Sequence, residues 1–344
     1  MKKWEEMTPN LPTEIKSSWQ QVLRFFPVDF RQILSGIGPK IYREISEIRF
    51  RINQPLEVVY QKRSMWVASD GRLVDSPEHA HWLRAEDIGK IVNALTAGSI
   101  YALEEELTKG YITLPGGHRV GFTGHVVSEA GRIRLIRNIS SLNFRIARAC
   151  LGIARPILPY LWKDGRFLKT MILSPPACGK TTLLREIVRE ISNGVAELGI
   201  PGLHVGVVDE RSEIAGSFQG TPQLDVGLRT DVLDACNKGE GVYLLLRSMN
   251  PDVIATDEIG AENDFEVLED IINAGVSMIV TAHAMNLTEA MCRPGLRRIL
   301  ERGMIERLII LSSRSGAGTL ESVRAGVAGP ELLRRSSVTE EPKC

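Results

Sequence analysis

The chain has no excess charge of either sign. Its 344 residues carry Lys+Arg 42 against Asp+Glu 42, so no single-sign field draws nucleic acid in bulk. Long apolar runs are missing as well. No stretch approaches the roughly 18 apolar residues of a membrane span. The opening Met1-Lys2-Lys3-Trp4-Glu5-Glu6 lacks the apolar core of a secretion signal. Cysteine is sparse and scattered (Cys150, Cys178, Cys236, Cys292, Cys344), odd in number and without a CxxC pair. That argues against a disulfide framework and for reduced thiols in a cytoplasmic protein. His118 and His125 have no nearby set of acidic or cysteine ligands, which argues against a metal site there. What remains is a balanced chain, 43% hydrophobic, long enough for two domains.

The stretch Ser174-Pro175-Pro176-Ala177-Cys178-Gly179-Lys180-Thr181-Thr182 is the most informative. The apolar run 167–173 before it reads as a buried strand. Residues 183–191 after it carry apolar side chains at helical spacing. Strand, tight loop and a helix opening on Gly-Lys-Thr-Thr form the setting of a phosphate-binding loop, in which backbone N–H groups and the helix dipole face an anion. In that role Lys180 reaches the β- and γ-phosphates of ATP and the Thr181 hydroxyl ligates Mg²⁺. Ser174 and Ala177 stand where glycines are usual. An alanine held in the left-handed region costs roughly 1–2 kcal/mol, which predicts weaker nucleotide binding. The bland alternative is a helix-start turn without a ligand.

Three further apolar runs end in polar residues: Val205–Asp209 into Glu210-Arg211-Ser212-Glu213, Val253–Thr256 into Asp257-Glu258, and Met278–Ala282 into His283. In a parallel α/β sheet ligands bind at the carboxyl ends of the strands, where the candidate phosphate loop also lies. Asp257 is the candidate for Mg²⁺, through a water. Glu258 and Glu210 compete for the base that activates the attacking water, and His283 is placed to sense the γ-phosphate. The segment 220–231 is long and glycine-containing, either a functional loop or ordinary surface, with Arg229 a candidate for phosphate or a neighbouring subunit. Arg247 is a candidate partner for the carboxylates.

The first half reads as α+β. Trp19, Val22, Leu23 and Phe26 form one helical stripe that Pro27 ends, and period-two alternation marks strands at 47–52 and 56–60. Asp70-Gly71 marks a hairpin. Residues 85–107 read as two helices split by Gly98. Strands follow at 111–114, 119–127 and 132–137, then the arginine-rich 140–148. Arg145 and Arg148 belong either to a solvated strand face or to a surface that meets a neighbour's nucleotide in trans. The domain expectation is an N-terminal unit at 1–150, a second domain at 151–325 entered through a hinge at 152–165, and a polar, disordered tail at 326–344.

The order of phosphate loop, acidic box (Val208–Glu213), Asn250–Glu258 and Thr281-Ala282-His283 resembles the type II/IV secretion and pilus ATPases. In finer detail the chain is similar to the stage III sporulation protein AA family. That likeness is carried by Tyr111–Gly121, Ile139–Asn143, Ser174–Pro176, Val208–Gly216 and Arg229–Asp234. The resemblance implies a RecA-like ATPase core behind a smaller N-terminal domain, assembled as a hexameric ring. It implies a cytoplasmic motor that serves the channel between mother cell and forespore and docks on membrane proteins of that complex. Two alternatives stay open: a scaffold that binds ATP with little turnover, and a RecA-like nucleic-acid motor, which the balanced charge disfavours.

Overall fold

In the computed structural model, which describes residues 19–61, 63–96, 110–129, 132–148, 150–261 and 263–334, two sheets hold most of the strands. The chain divides into a unit at 1–148 and a unit at 149–344.

The first unit is built on an antiparallel sheet in the order β4-β3-β2-β1-β7-β6-β5. Its strands are β1 (Ile45–Arg51), β2 (Glu57–Tyr60), β3 (Arg63–Val67), β4 (Leu73–Val74), β5 (Tyr111–Leu114), β6 (His118–Glu129) and β7 (Arg132–Arg145). The alternation in β1 does its work: Ile48 and Phe50 are fully buried while Glu47 and Arg49 face outward as an ion pair. Helices α1 (Val28–Ser35), α2 (Pro39–Tyr42) and α3 (Ala85–Leu95) belong to this unit, and Phe26, Phe30, Phe50 and Phe144 form its aromatic centre, with Phe26 and Phe144 4.4 Å apart. Trp19, Val22, Leu23 and Phe26 are core residues, and α1 starts directly after Pro27. His118 is a core histidine. Its Nδ1 accepts from Ala147 N at 3.1 Å, and burial pushes its imidazolium pKa down to about 4. The strand expected at 132–137 is longer, running unbroken to Arg145. The second helix expected in 85–107 lies outside the described residues from 97 onward.

The second unit centres on a sheet in the order β12-β11-β13-β14-β10-β15-β16-β17. The strands are β10 (Thr170–Ser174), β11 (Val205–Asp209), β12 (Thr230–Asp234), β13 (Val253–Thr256), β14 (Ser277–His283), β15 (Arg307–Ser312), β16 (Thr319–Arg324) and β17 (Glu331–Arg334). From β12 to β15 every pairing is parallel, and β16 and β17 add an antiparallel edge. β10, β11 and β13 are buried at every position, as strands covered on both faces must be. Helices α4 (Leu158–Leu161), α5 (Lys180–Asn193), α6 (Lys238–Ser248), α7 (Asp264–Asn273), α8 (Leu287–Cys292) and α9 (Pro294–Glu301) complete it. One apolar core gathers around α5 and another around α7 and α9. The hinge segment is tied to α5: Gly152 N donates to buried Glu186, and Arg155 pairs with buried Glu190.

Three expectations are corrected here. Phe167 does not open β10; it belongs to a short hairpin of β8 (Trp162–Lys163) and β9 (Arg166–Phe167). The segment ending at 231 runs into a strand, β12, at the edge of the sheet. The tail expected to be disordered from 326 contains β17, paired with β16; residues 335–344 lie outside the described residues. No helix among the described residues is long and apolar enough to cross a membrane.

Candidate functional site

β10 delivers the chain to the middle of the sheet edge, and α5 carries it away. Between them residues 175–179 fold as a tight loop with two left-handed residues, Ala177 (φ +57) and Gly179 (φ +83). Ala177 is exposed. Its backbone is the one the sequence predicted, with the attendant cost of about 1–2 kcal/mol. Gly179 is the helix N-cap, and no side chain caps the helix there. The first intrahelical bond is Leu183 N to Gly179 O, so the N–H groups of residues 180–182 have no helical acceptor. That is the donor set of an anion site.

Lys180 is buried, and its Nζ lies 3.5 Å from Ser174 O and 3.4 Å from Pro175 O. Burial lowers its pKa, opposed by the nearby carboxylates, Glu258 foremost. Its Nζ also stands 3.0 Å from His283 Nδ1. Register explains the meeting: Ser174 on β10 and His283 on β14 are paired positions. His283 Nε2 in turn reaches Glu258 Oε1 at 3.2 Å. With the ring proton on Nε2, Lys180 donates to the imidazole and the imidazole donates to Glu258. The other carboxylate oxygen of Glu258 pairs with Arg211. Lys180, His283, Glu258 and Arg211 thus form one row along the sheet edge.

Glu258 is held in a left-handed backbone conformation, φ +52, which a side-chain-bearing residue adopts at a cost. Thr281 fixes it there: its Oγ1 accepts from Glu258 N at 3.0 Å and its carbonyl from Ile259 N at 2.7 Å. Asp264 closes the turn by accepting from Gly260 N and Ala261 N at 2.7 and 2.8 Å.

Asp257 is fully buried and its Oδ2 has no hydrogen-bond partner. Burial, with Asp209, Glu213 and Glu258 adding negative charge, pushes its pKa up to about 7. An unpartnered carboxylate oxygen in a negative pocket fits a hard divalent cation. Mg²⁺ characteristically takes one or two protein oxygens and fills its shell with water and phosphate. Among the described residues no three His, Cys, Asp or Glu side chains form a metal cage.

Glu210 sits apart from this row. Its Oε2 is 2.6 Å from Lys238 Nζ, at the start of α6. Its loop is anchored twice. Buried Asp209 accepts from Glu213, Ile214 and Ala215 N at 2.7, 3.0 and 2.8 Å, while Arg185 on α5 donates to the carbonyls of Glu213 and Ile214. Burial pushes the Asp209 carboxyl up, against the pull of those three N–H groups. Sequence reasoning gave roles to neither Asp209 nor Arg185, and it missed Arg211 and Lys238.

Arg229 lies at the other end of α5. Its NH1 donates to Ser192 O at 3.0 Å and its backbone N to Ser192 Oγ at 2.7 Å. A helix of 14 residues is about 20 Å long, so Arg229 does not reach a phosphate on its own loop; it caps the helix. Gly227 makes that seat possible, since a Cβ there would stand 2.6 Å from Ser192 Cβ. Arg247 also misses the carboxylates: it donates to Tyr243 OH at 2.5 Å and lies over that ring. In the first unit Arg148 donates to the carbonyls of Tyr42 and Ile45, and Arg145 is exposed opposite Glu47 and Arg119 on the neighbouring strands. Cys178 is buried and Cys236 half-buried, both as free thiols.

This arrangement of strands has counterparts among solved structures. The Legionella pneumophila ATPase DotB superposes with a TM-score of 0.55 over 88% of this chain and 78% of that one, at 18% identity. The pilus retraction motor PilT, solved with bound ADP, gives 0.50 over 87% and 82%, at 13% identity. At such identities the likeness is one of fold: a mixed α/β chain with the RecA-like core of secretion ATPases. Sequence carries the relation further. Stage III sporulation protein AA of Bacillus subtilis (strain 168) is 42% identical over 303 residues, 88% of this chain and 94% of that protein. A family model, sporulation stage III, protein AA, matches residues 16–327. Matched over nearly its whole length, the chain belongs to the sporulation stage III protein AA family.

Proposed function

We propose that the chain is the subunit of an ATP-hydrolysing motor that works as a ring, a hexamer, on a secretion-like channel between mother cell and forespore. The observation that carries this reading is the row Lys180–His283–Glu258 beside the uncapped N-terminus of α5. In it the N–H groups of residues 179–182 and Lys180 hold the phosphates of ATP. Glu258, oriented by His283 and Thr281, takes the proton of the attacking water. Glu210 is the weaker candidate, because it stands apart from the row that links Lys180 through His283 to Glu258. Magnesium, held by the Thr181 hydroxyl and through water by Asp257, supplies charge neutralisation at the phosphates. Asp257's unpartnered oxygen supports that role.

Family membership and a fold shared with secretion and pilus ATPases support the motor and channel roles, with membrane proteins of the channel complex as partners. A ring would complete each site with a cation from the neighbouring subunit. Arg145, exposed on its strand, suits that task better than Arg148, which is engaged with backbone carbonyls. Ala177 favours a second reading, an ATP-binding scaffold with little turnover, because its left-handed backbone stores strain in the loop. The test is Mg²⁺-dependent phosphate release beside Lys180→Ala across a protein-concentration series. The motor reading expects specific activity that rises with concentration and is lost in the variant. Tight ATP binding without turnover at any concentration supports the scaffold.

A further inference from the structure

The loop 175–179 has a second neighbour on the side away from the carboxylates. β15 runs parallel to β10 on the flank opposite β14, so the turn from β15 into β16 emerges at the same sheet edge. This turn, residues 313–318, lies against the loop. Gly318 N donates to Cys178 O at 2.9 Å, and a Cβ on Gly179 would come within 3.2 Å of Gly318 N. No side chain separates the two backbones.

The turn is also held from within. Arg314 N donates to Ser312 Oγ at 3.1 Å and Ser315 N to Thr319 Oγ1 at 3.3 Å. The hydroxyl of buried Thr319 donates to Gly316 O at 2.7 Å. Its outer face is nearly bare: Gly316 and Gly318 have no side chain and Ala317 is exposed. A Cβ built on either glycine meets nothing within 4 Å. Arg314, in the same turn, has its side chain 75% exposed and holds Glu321 only at a long 3.9 Å.

Direction follows from Lys180. Its Nζ leans toward His283 at 3.0 Å, so a terminal phosphate paired with it would lie on the β14 side of the loop. A nucleotide is longer than its phosphate tail, and a nucleoside leaving on the opposite side would cross residues 314–318, which lie against the loop there. We propose that the 313–318 turn is the nucleoside subsite, with Ala317 and Gly318 a flat floor under ribose and base and Arg314 the guanidinium that stacks on the base. This rests on the nucleotide-binding reading of residues 174–182.

Calorimetry with ATP and with inorganic tripolyphosphate, which has no nucleoside, tests it. The full chain is compared with Ala317→Leu, which adds bulk without charge, and with Arg314→Ala; both positions are exposed, and thermal melting checks that each variant folds. The expected result is an ATP affinity lowered about fivefold or more in both variants, with tripolyphosphate affinity within about twofold of the parent. ATP affinity unchanged in both variants overturns the subsite, and so does a parallel loss of both ligands, which assigns Arg314 to the phosphates. A parent chain that binds neither ligand overturns the nucleotide reading itself, and the subsite with it.

Discussion

His283 Nδ1 stands 3.0 Å from Lys180 Nζ, and this one contact joins the end of β14 to the first residue of α5. Through His283 the lysine is linked to Glu258 at 3.2 Å. The row brings a cation and a carboxylate to the same sheet edge, on either side of one imidazole, and phosphoryl transfer draws on groups of both kinds.

His283→Ala should break the row at its centre while leaving the loop backbone intact. The expected outcome is a fall in kcat of about ten- to a thousandfold with KM for ATP within a few-fold of the parent, measured by steady-state phosphate release. Rise of KM alone, with kcat unchanged, would assign His283 to ground-state binding instead.

Asp257 links the site to pH. Its pKa is raised to about 7 from the ordinary aspartate value of 3.8, so the folded state binds its proton more tightly than the unfolded state does. The stability this contributes is complete below about pH 4 and is lost as pH rises through about 7. Asp257→Asn, which keeps the shape and removes the charge, should therefore melt higher than the parent at pH 8, by a margin on the order of 2–4 kcal/mol at most. The gap should close toward pH 4, and Mg²⁺ should raise the melting temperature of the parent at pH 8 more than that of the variant. A variant less stable than the parent at pH 8 would contradict the assignment.

Ala177 at φ +57 sits in a conformation that glycine takes freely. Ala177→Gly should tighten ATP binding by up to about tenfold, equivalent to the roughly 1–2 kcal/mol of backbone cost. Unchanged affinity would mean that folding alone bears this strain.

Much of the second unit was legible in the sequence, because strands buried on both faces read as apolar runs. The polar residues that end those runs, Asp209, Asp257 and His283, fall at the sheet edge where the parallel rule puts them. β12 hid because it is an edge strand: Thr230, Asp231 and Asp234 interrupt any apolar pattern, and all five of its residues are half-buried. β17 hid for the same reason, being short and exposed at the opposite edge. The partners of the site residues were beyond reach. Arg185 meets the acidic loop 28 and 29 residues away, and Lys238 meets Glu210 across 28. Arg229 misled because sequence order does not reveal which end of a parallel strand a loop residue occupies. The segment 210–229 returns the chain from the site edge to the far edge, the crossing any parallel neighbour requires. Residue 229 therefore ends about one helix length from the phosphate loop.

The most direct measurement is single-turnover and steady-state ATP hydrolysis, with Mg²⁺, of Glu258→Gln beside Glu210→Gln. Both substitutions keep shape and remove a carboxylate, and ATP binding is measured in parallel. The account predicts that Glu258→Gln binds ATP normally and loses about a hundredfold or more in turnover, while Glu210→Gln, whose carboxylate lies outside the Lys180–His283–Glu258 row, retains most of it. Undiminished phosphate release in both variants would contradict hydrolysis at this site.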